Sequence, residues 1–140
     1  MNKIPQITIS TTIQVSVDQA WYVLNEPQHI MQWLHASDDW YCPQATNDVR
    51  VGGELRCRMA ARDASYEFEL VGRYTHVAPQ HQLTYVMEDG RVVTTRLEPI
   101  ADGVKIIQQF DPENENPIDM QREGWQAILN NLKVHAERVF

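Results

Sequence analysis

Residues 116–139, NPIDMQREGWQAILNNLKVHAERV, decide the predicted fold because they hold the clearest helical pattern in the chain. Asn116 can cap a helix, Pro117 can occupy its first position, and Asp119 can meet the positive end of the helix dipole. Apolar residues then recur at the spacing of one helical face: Trp125, Ile128, Leu129, Leu132, Ala136 and Val139. Polar residues between them are predicted to lie mostly away from this stripe: Gln121, Gln126, Asn130, Lys133 and Glu137. Such a stripe requires an apolar surface to cover.

The strands predicted upstream provide that surface. Runs rich in β-branched and aromatic residues predict strands at about 4–15, 49–60, 65–77, 82–88, 91–98 and 103–110. Turn sequences separate the last five at 62–64, 78–80, 89–90 and 101–103, which is typical of an antiparallel meander. We therefore predict one α+β domain over residues 1–140. In it, a long C-terminal helix lies across a curved antiparallel sheet of about six strands.

Two short helices are predicted after the first strand. Ser16 and Gln19 have the spacing of a capping box, which predicts a helix from about Val17 to Asn25. Pro27 ends that helix and is suited to open a second one. The polar segment that follows, 35–48 (HASDDWYCPQATND), is predicted to be a loop that covers an opening in the fold.

Charged residues alternate with apolar ones in the first predicted hairpin. Arg56 and Arg58 would lie opposite Glu67 and Glu69 on one face of the sheet, at about 1 kcal/mol or less per pair. We interpret this set as a solvated outer face.

The adjacent glycines in NDVRVGGEL (47–55) raise the question of a phosphate-binding loop. A P-loop requires G-x-x-x-x-G-K-[ST], and a dinucleotide site requires G-x-G-x-x-G between a strand and a helix. Here Gly52 and Gly53 are adjacent and a strand follows them. The pair is therefore interpreted as a bulge or sharp bend that allows another backbone to come close.

Composition limits the partners and the compartment. The 19 acidic and 12 basic residues give a formal charge of −7, which argues against binding to nucleic acid or to an anionic membrane. The N-terminus lacks the apolar core of a secretory signal, so the chain is predicted to be cytoplasmic, with Cys42 and Cys57 reduced.

Motifs for catalysis or metal binding are missing from the sequence. The five histidines have no H-x-x-x-H or H-E-x-x-H spacing, and no G-x-S-x-G elbow is present. We therefore expect no metal, no cofactor and no catalytic residue.

Gly124 is unusual because it lies inside the predicted final helix. Glycine there costs about 1 kcal/mol relative to alanine. We expect close packing of the sheet or of the aromatic loop at this turn, or a ligand, to compensate.

Several short motifs together resemble a known family. They are WYCP (40–43), DVRVGG (48–53), FELVGRY (68–74), VAP (77–79), LTY (83–85) and GWQAILNNLK (124–133). Their order resembles the START-like, or SRPBCC, superfamily, in the branch of the activator of heat shock protein 90 ATPase homologue, C-terminal domain. The resemblance implies a helix-grip fold with a cavity between the sheet and the C-terminal helix. Relatives bind lipids, hormones or polyketides, and some have cyclase activity.

A hydrophobic small molecule is the expected partner. Eight residues are candidates to contact an apolar, aromatic or lipid-like ligand: Trp33, Trp40, Phe68, Tyr85, Thr95, Gln108, Trp125 and Leu129. The same residues also fit plain core packing, and the sequence leaves both interpretations open.

Non-catalytic ligand binding is the leading functional hypothesis, by a monomer or a weak homodimer. One alternative is a polyketide cyclase-like enzyme. The other is an interaction protein of the stress response that contacts a chaperone.

Overall fold

The computed structural model describes residues 5–140, which form seven strands and three helices. In chain order they are β1 Ile7–Ile13, α1 Val17–Asn25, α2 Pro27–Trp33, β2 Trp40–Asn47, β3 Glu54–Ala61, β4 Glu67–Ala78, β5 Gln82–Met87, β6 Val92–Ile100, β7 Gly103–Phe110 and α3 Ile118–Val139. The first strand was predicted to begin at Ile4, which lies outside the described residues. The capping box at Ser16 is present, with both of its hydrogen bonds.

All seven strands form a single antiparallel sheet in the order β1-β7-β6-β5-β4-β3-β2. Five hairpins connect β2 through β7, while β1 returns to pair with β7. The first two strands of the chain therefore lie at opposite edges, and α1 and α2 span the distance between them. The long α3 packs against the inner face, which confirms the predicted α+β helix-grip arrangement.

The loop predicted at 35–48 is wrong over its second half, because β2 occupies residues 40–47. A β-bulge between Tyr41 and Gln44 interrupts the pairing with β3. As a result Cys42 and Ala45 both point inward although they are three residues apart. This spacing destroys the alternation by which a strand is recognised, so the sequence indicated about six strands instead of seven.

The polar face of α3 protects the free edge of β1. Arg122 donates to the carbonyl of Thr8 and Gln126 to that of Ser10, at 3.2 and 3.1 Å. Lys133 donates to the carbonyl of Thr12 at 2.7 Å. These bonds occupy carbonyls that an edge strand would otherwise present to another chain.

Three expectations about α3 need correction. Val139, predicted to belong to the apolar stripe, is exposed at the end of the helix. Asn116 does not cap the helix: Pro117 is the N-cap, and no side chain bonds the first turn. Gln121 is buried, although it was predicted to lie away from the apolar stripe. Its amide donates to the carbonyls of Glu113 and Asn116 and accepts from the Glu113 N–H. Gln121 thus satisfies the backbone of the loop before the helix, a role that helical spacing does not reveal.

The glycine pair forms a corner just before β3. Gly52 has φ +87°, and a Cβ on Gly53 would lie 2.1 Å from the carbonyl oxygen of Asp48. The Gly52 N–H donates to the Tyr74 carbonyl at 2.8 Å, and the Tyr74 N–H donates to the Gly53 carbonyl at 2.9 Å. The predicted close approach of a second backbone is therefore confirmed, and the partner is β4.

The charged outer face is also confirmed. Arg56 pairs with Glu69 at 2.9 Å and Arg58 with Glu67 at 3.3 Å. All four side chains remain substantially exposed, so these pairs contribute little to stability.

Gly124 does not mark a close approach within the protein. A Cβ added there would meet nothing within 4 Å, so the predicted packing of the sheet or loop against this turn is wrong. Among the described residues, no helix is long and apolar enough to cross a membrane.

Candidate functional site

A cavity of about 280 Å³ lies between the inner face of the sheet and the helices. Strands β3 to β7 form its floor, while α2 contributes Ile30 and Trp33, and α3 contributes Trp125 and Ile128. Aliphatic and aromatic side chains make up most of the lining. The other lining residues are Leu24, Asn25, Leu34, Asn47, Leu55, Cys57, Met59, Phe68, Leu70, Tyr74, Leu83, Tyr85, Met87, Arg91, Thr95 and Gln108.

The structure brings six of the eight candidate residues together around this cavity. They are Trp33, Phe68, Tyr85, Thr95, Gln108 and Trp125. The other two, Trp40 and Leu129, are not among the lining residues. Trp40 packs edge-on against Phe68 and Tyr66, with ring centroids 5.9 and 6.1 Å apart. Leu129 is buried in the core.

The parity of β5 and β6 explains why Tyr85 and Thr95 reach the cavity. Tyr85 pairs with Val93, and both side chains are buried on the inner face. Thr95 lies two residues further along β6 and therefore shares that face. Arg91 lies two residues before Val93, and it also lines the cavity. A cation after a Gly-containing turn is usually exposed, so the sequence interpretation missed Arg91.

One buried polar pair lies in the wall formed by β6 and β7. The amide of Gln108 donates to the hydroxyl of Thr95 at 3.1 Å, and these residues are direct neighbours in the two strands. Thr95 is buried. The pair offers a ligand polar atoms inside an otherwise apolar wall.

A second polar group joins three elements at the cavity wall. The Tyr74 hydroxyl donates to the side-chain oxygen of Asn47 at 2.6 Å, and the Asn47 amide donates to the carbonyl of Asn25 at 2.9 Å. Burial raises the pKa of Tyr74 well above its ordinary value. The phenol is therefore a stable hydrogen-bond donor near neutral pH.

Tyr85 faces Tyr74 across the strand pair, with ring centroids 6.1 Å apart at nearly a right angle. Burial also raises the pKa of Tyr85. None of the side-chain hydrogen bonds formed among residues 5–140 uses its hydroxyl. This hydroxyl is therefore a donor available to a ligand in the cavity.

The two cysteines are free and buried. Cys57 lines the cavity, and its pKa is raised by a hydrogen bond with Cys42 and by burial. A thiol held in the protonated form is a poor nucleophile. Cys57 therefore acts as a small apolar surface in this cavity.

Two histidines connect α2 and α3. Nδ1 of His29 on α2 lies 2.8 Å from Nε2 of His135 on α3. Burial lowers the pKa of His135, and the nearby charges of His29 and Arg138 lower it further. The contact requires that at least one ring be neutral, so it depends on pH.

The chain is expected to lose stability as the pH falls from 7.5 to 5.5. Unfolded histidine has a pKa of about 6.5, so the unfolded chain gains a proton that folded His135 resists. This contribution is complete above pH about 6.5 and declines as the pH falls towards the lower folded pKa. The midpoint of thermal unfolding, followed by circular dichroism, should show this decline. His135→Gln should reduce this decline, whereas the control His76→Gln, at an exposed position, should not. A full decline in His135→Gln would mean that His135 is not the residue responsible.

Comparison with known proteins identifies the family. The profile of the family described as Activator of Hsp90 ATPase homolog 1-like protein matches residues 14–137. A search of curated proteins found no match.

Solved structures with the same fold include two that share considerable sequence. The solution NMR structure of the AHSA1-like protein from Aeromonas hydrophila has a TM-score of 0.90 and 34% identity, covering 96% of this chain and 93% of that chain. The solution structure of Chr148 from Cytophaga hutchinsonii has a TM-score of 0.83 and 39% identity, with the same coverage of 96% and 93%. The crystal structure of NE0264 from Nitrosomonas europaea has a TM-score of 0.85 over 97% and 96% of the chains. Its 17% identity shows the fold alone.

The family profile spans most of the chain, and the two relatives above 30% identity are covered almost completely. The chain therefore belongs to the Activator of Hsp90 ATPase homolog 1-like family, within the START-like (SRPBCC) superfamily of helix-grip proteins.

Proposed function

We propose that the chain binds a small, largely apolar molecule in the cavity and does not change it chemically. The observation that carries the proposal is the cavity itself, which has an apolar lining and a few polar groups. Ligand sites in proteins have this composition, because apolar contact supplies affinity and a few polar contacts supply orientation.

The size of the cavity limits the ligand. Its volume of about 280 Å³ lies near the lower end of ligand sites, about 300 to 1,000 Å³. An apolar cavity of about 150 Å³ can hold benzene. A ligand with two fused rings, or with a medium alkyl chain, is therefore the best fit.

Binding is favoured over catalysis by the state of the titratable groups at the cavity. Tyr74, Tyr85 and Cys57 all have raised pKa values, so each is protonated near neutral pH. They can donate hydrogen bonds, but they cannot serve as general bases there. Among the described residues that line the cavity, these pKa shifts are all upward, so the cyclase alternative finds no pair of groups with opposed pKa shifts there.

The test combines native mass spectrometry with probe binding to a variant whose cavity is filled by a larger side chain. The protein is purified from its own host without unfolding, and native mass spectrometry is used to look for a bound small molecule. Its affinity for the neutral fluorescent probe 2-naphthamide is then measured. Ile128→Trp should fill the cavity from α3 and abolish probe binding. Val134→Trp, on the exposed side of the same helix, should leave it unchanged.

Two results would reject ligand binding in this cavity. One is the absence of both an adduct and probe binding in the unchanged protein. The other is equal probe binding by the two tryptophan variants, which would place the probe elsewhere on the surface.

An interaction with a chaperone of the heat shock protein 90 class is the second candidate. The family description suggests it, and exposed Tyr66 and Phe68 offer a neighbouring aromatic pair outside the core. The ATPase rate of the bacterial chaperone homologue should rise when the chain is added, and less so for Tyr66→Ser. An unchanged rate would reject this candidate.

A further inference from the structure

Arg91 places a positive charge at the cavity. Among the described residues that line the cavity, it alone carries a formal charge at neutral pH. The chain as a whole is acidic, with a formal charge of −7. A cation at an apolar cavity of an acidic protein indicates selection for an anionic ligand.

The position of Arg91 is suited to a ligand head group. Its side chain is 23% exposed and lines the cavity, so it lies at the boundary between the cavity and solvent. Phe68, which is 45% exposed, also lines the cavity and marks the same boundary. Thr95 and Leu83 are buried in its wall. A ligand with one charged end could therefore keep that end near water while its apolar part enters the cavity.

The guanidinium of Arg91 is only partly used by the protein. Its Nε donates to Oδ2 of Asp89 at 2.8 Å, and its backbone N–H donates to Oδ1 of the same residue. The two terminal amino groups make no hydrogen bond with any of residues 5–140. This pair of parallel N–H donors matches the two oxygens of a carboxylate.

Among residues 5–140, the acidic residues near Arg91 make no hydrogen bond with its terminal amino groups. Asp89 accepts from the Nε–H instead. Two further acids lie nearby. Asp111 accepts the N–H of Val92 at 2.8 Å with one oxygen, while its other oxygen is buried without a partner among residues 5–140. The oxygens of Glu113 accept the backbone N–H groups of Glu115 and Asn116 at 2.8 and 2.9 Å. These bonds lower the pKa of Glu113, and the charge of Arg91 adds a smaller effect. Glu113 is therefore occupied by its own loop.

We propose that the ligand is a small carboxylic acid whose apolar part fills the cavity and whose carboxylate pairs with the terminal amino groups of Arg91. This inference rests on the proposed function and adds the chemical class of the ligand. Tyr85 also lines the cavity, and its hydroxyl could donate a further hydrogen bond to such a ligand.

Two probes of nearly the same shape test the charge preference. The affinities of 2-naphthoate and of neutral 2-naphthamide are measured by fluorescence at low salt in the full chain. The unchanged protein should bind the carboxylate about 10-fold or more tightly than the amide, as expected for a charge-assisted bidentate pair. A parallel titration with octanoate and octanol distinguishes aromatic from alkyl acids.

Three variants assign the preference to Arg91. Arg91→Met should abolish it while amide binding persists, which also reports that the variant is folded. Arg73→Met removes an exposed arginine on the outer face and should leave the preference unchanged. Asp89→Asn removes the negative charge beside Arg91, keeps an oxygen for the turn, and should strengthen the preference.

The outcomes separate this inference from the proposed function. Equal binding of 2-naphthoate and 2-naphthamide, or a preference that survives in Arg91→Met, overturns the role of Arg91 but leaves a cavity that binds apolar molecules. Failure of all four probes to bind overturns both proposals.

Discussion

Phe110→Ala is expected to lower the free energy of unfolding by about 3 to 5 kcal/mol, the usual loss for a buried phenylalanine. Phe110 is fully buried at the end of β7. Its ring stacks on Trp125 of α3, with centroids 4.0 Å apart and planes 13° apart. Removing it leaves a void and deletes the aromatic contact between sheet and helix. Equilibrium unfolding in urea, followed by tryptophan fluorescence and circular dichroism, measures the change.

Phe68→Ala is the matched control because it makes the same chemical change at an exposed position. Phe68 is 45% exposed and contacts Trp40 edge-on, so a loss of about 1 kcal/mol is expected. Similar losses for the two variants would mean that the stack of Phe110 on Trp125 does not hold α3 to the sheet.

Gly72→Ala is expected to destabilise the chain by about 2 to 3 kcal/mol through overpacking. A Cβ at Gly72 would lie 2.3 Å from the Tyr85 ring, much closer than atoms can approach. Gly72 lies in the middle of β4, paired with Leu55 and Met87, so the backbone cannot easily move away. The same urea titration reports the loss, and probe binding should weaken because Tyr85 lines the cavity.

Gly124→Ala serves as the control for Gly72→Ala. Its added Cβ meets nothing within 4 Å, and the position is helical, so stability should rise by about 0.5 to 1 kcal/mol. The double variant Gly72→Ala/Tyr85→Leu should recover part of the lost stability, because leucine lacks the ring that the added Cβ would meet. A Gly72→Ala variant as stable as the parent would contradict the contact with Tyr85.

The sequence predicted the meander well because hairpin signals are local. Turn residues and alternation identified β5 and β7 almost to the residue, and the capping box at Ser16 predicted the start of α1. The prediction failed at β2, because the bulge after Tyr41 removes the alternation of buried and exposed residues. It also failed at Gln121, whose hydrogen-bond partners lie in the loop before the helix.

The candidate site was predicted in part for a similar reason. Tyr85, Thr95 and Gln108 follow from strand parity once the inner face is known, and the structure places all three at the cavity. Trp40 was expected there as part of a loop, whereas β2 directs it against Phe68 and Tyr66. Arg91 has the same parity as Thr95 in the predicted strand 91–98, but it was missed because a charged residue beside a turn is usually exposed.

By itself the sequence determined the order of the elements other than β2, the amphipathic C-terminal helix and the charged outer face of the sheet. These depend on residues that are close along the chain or in neighbouring strands. Only the tertiary structure decided that a cavity remains beside the stacked Phe110 and Trp125, and that Arg91 stands at its boundary. A cavity is the volume left when side chains from distant elements have packed together, and no local pattern contains that volume.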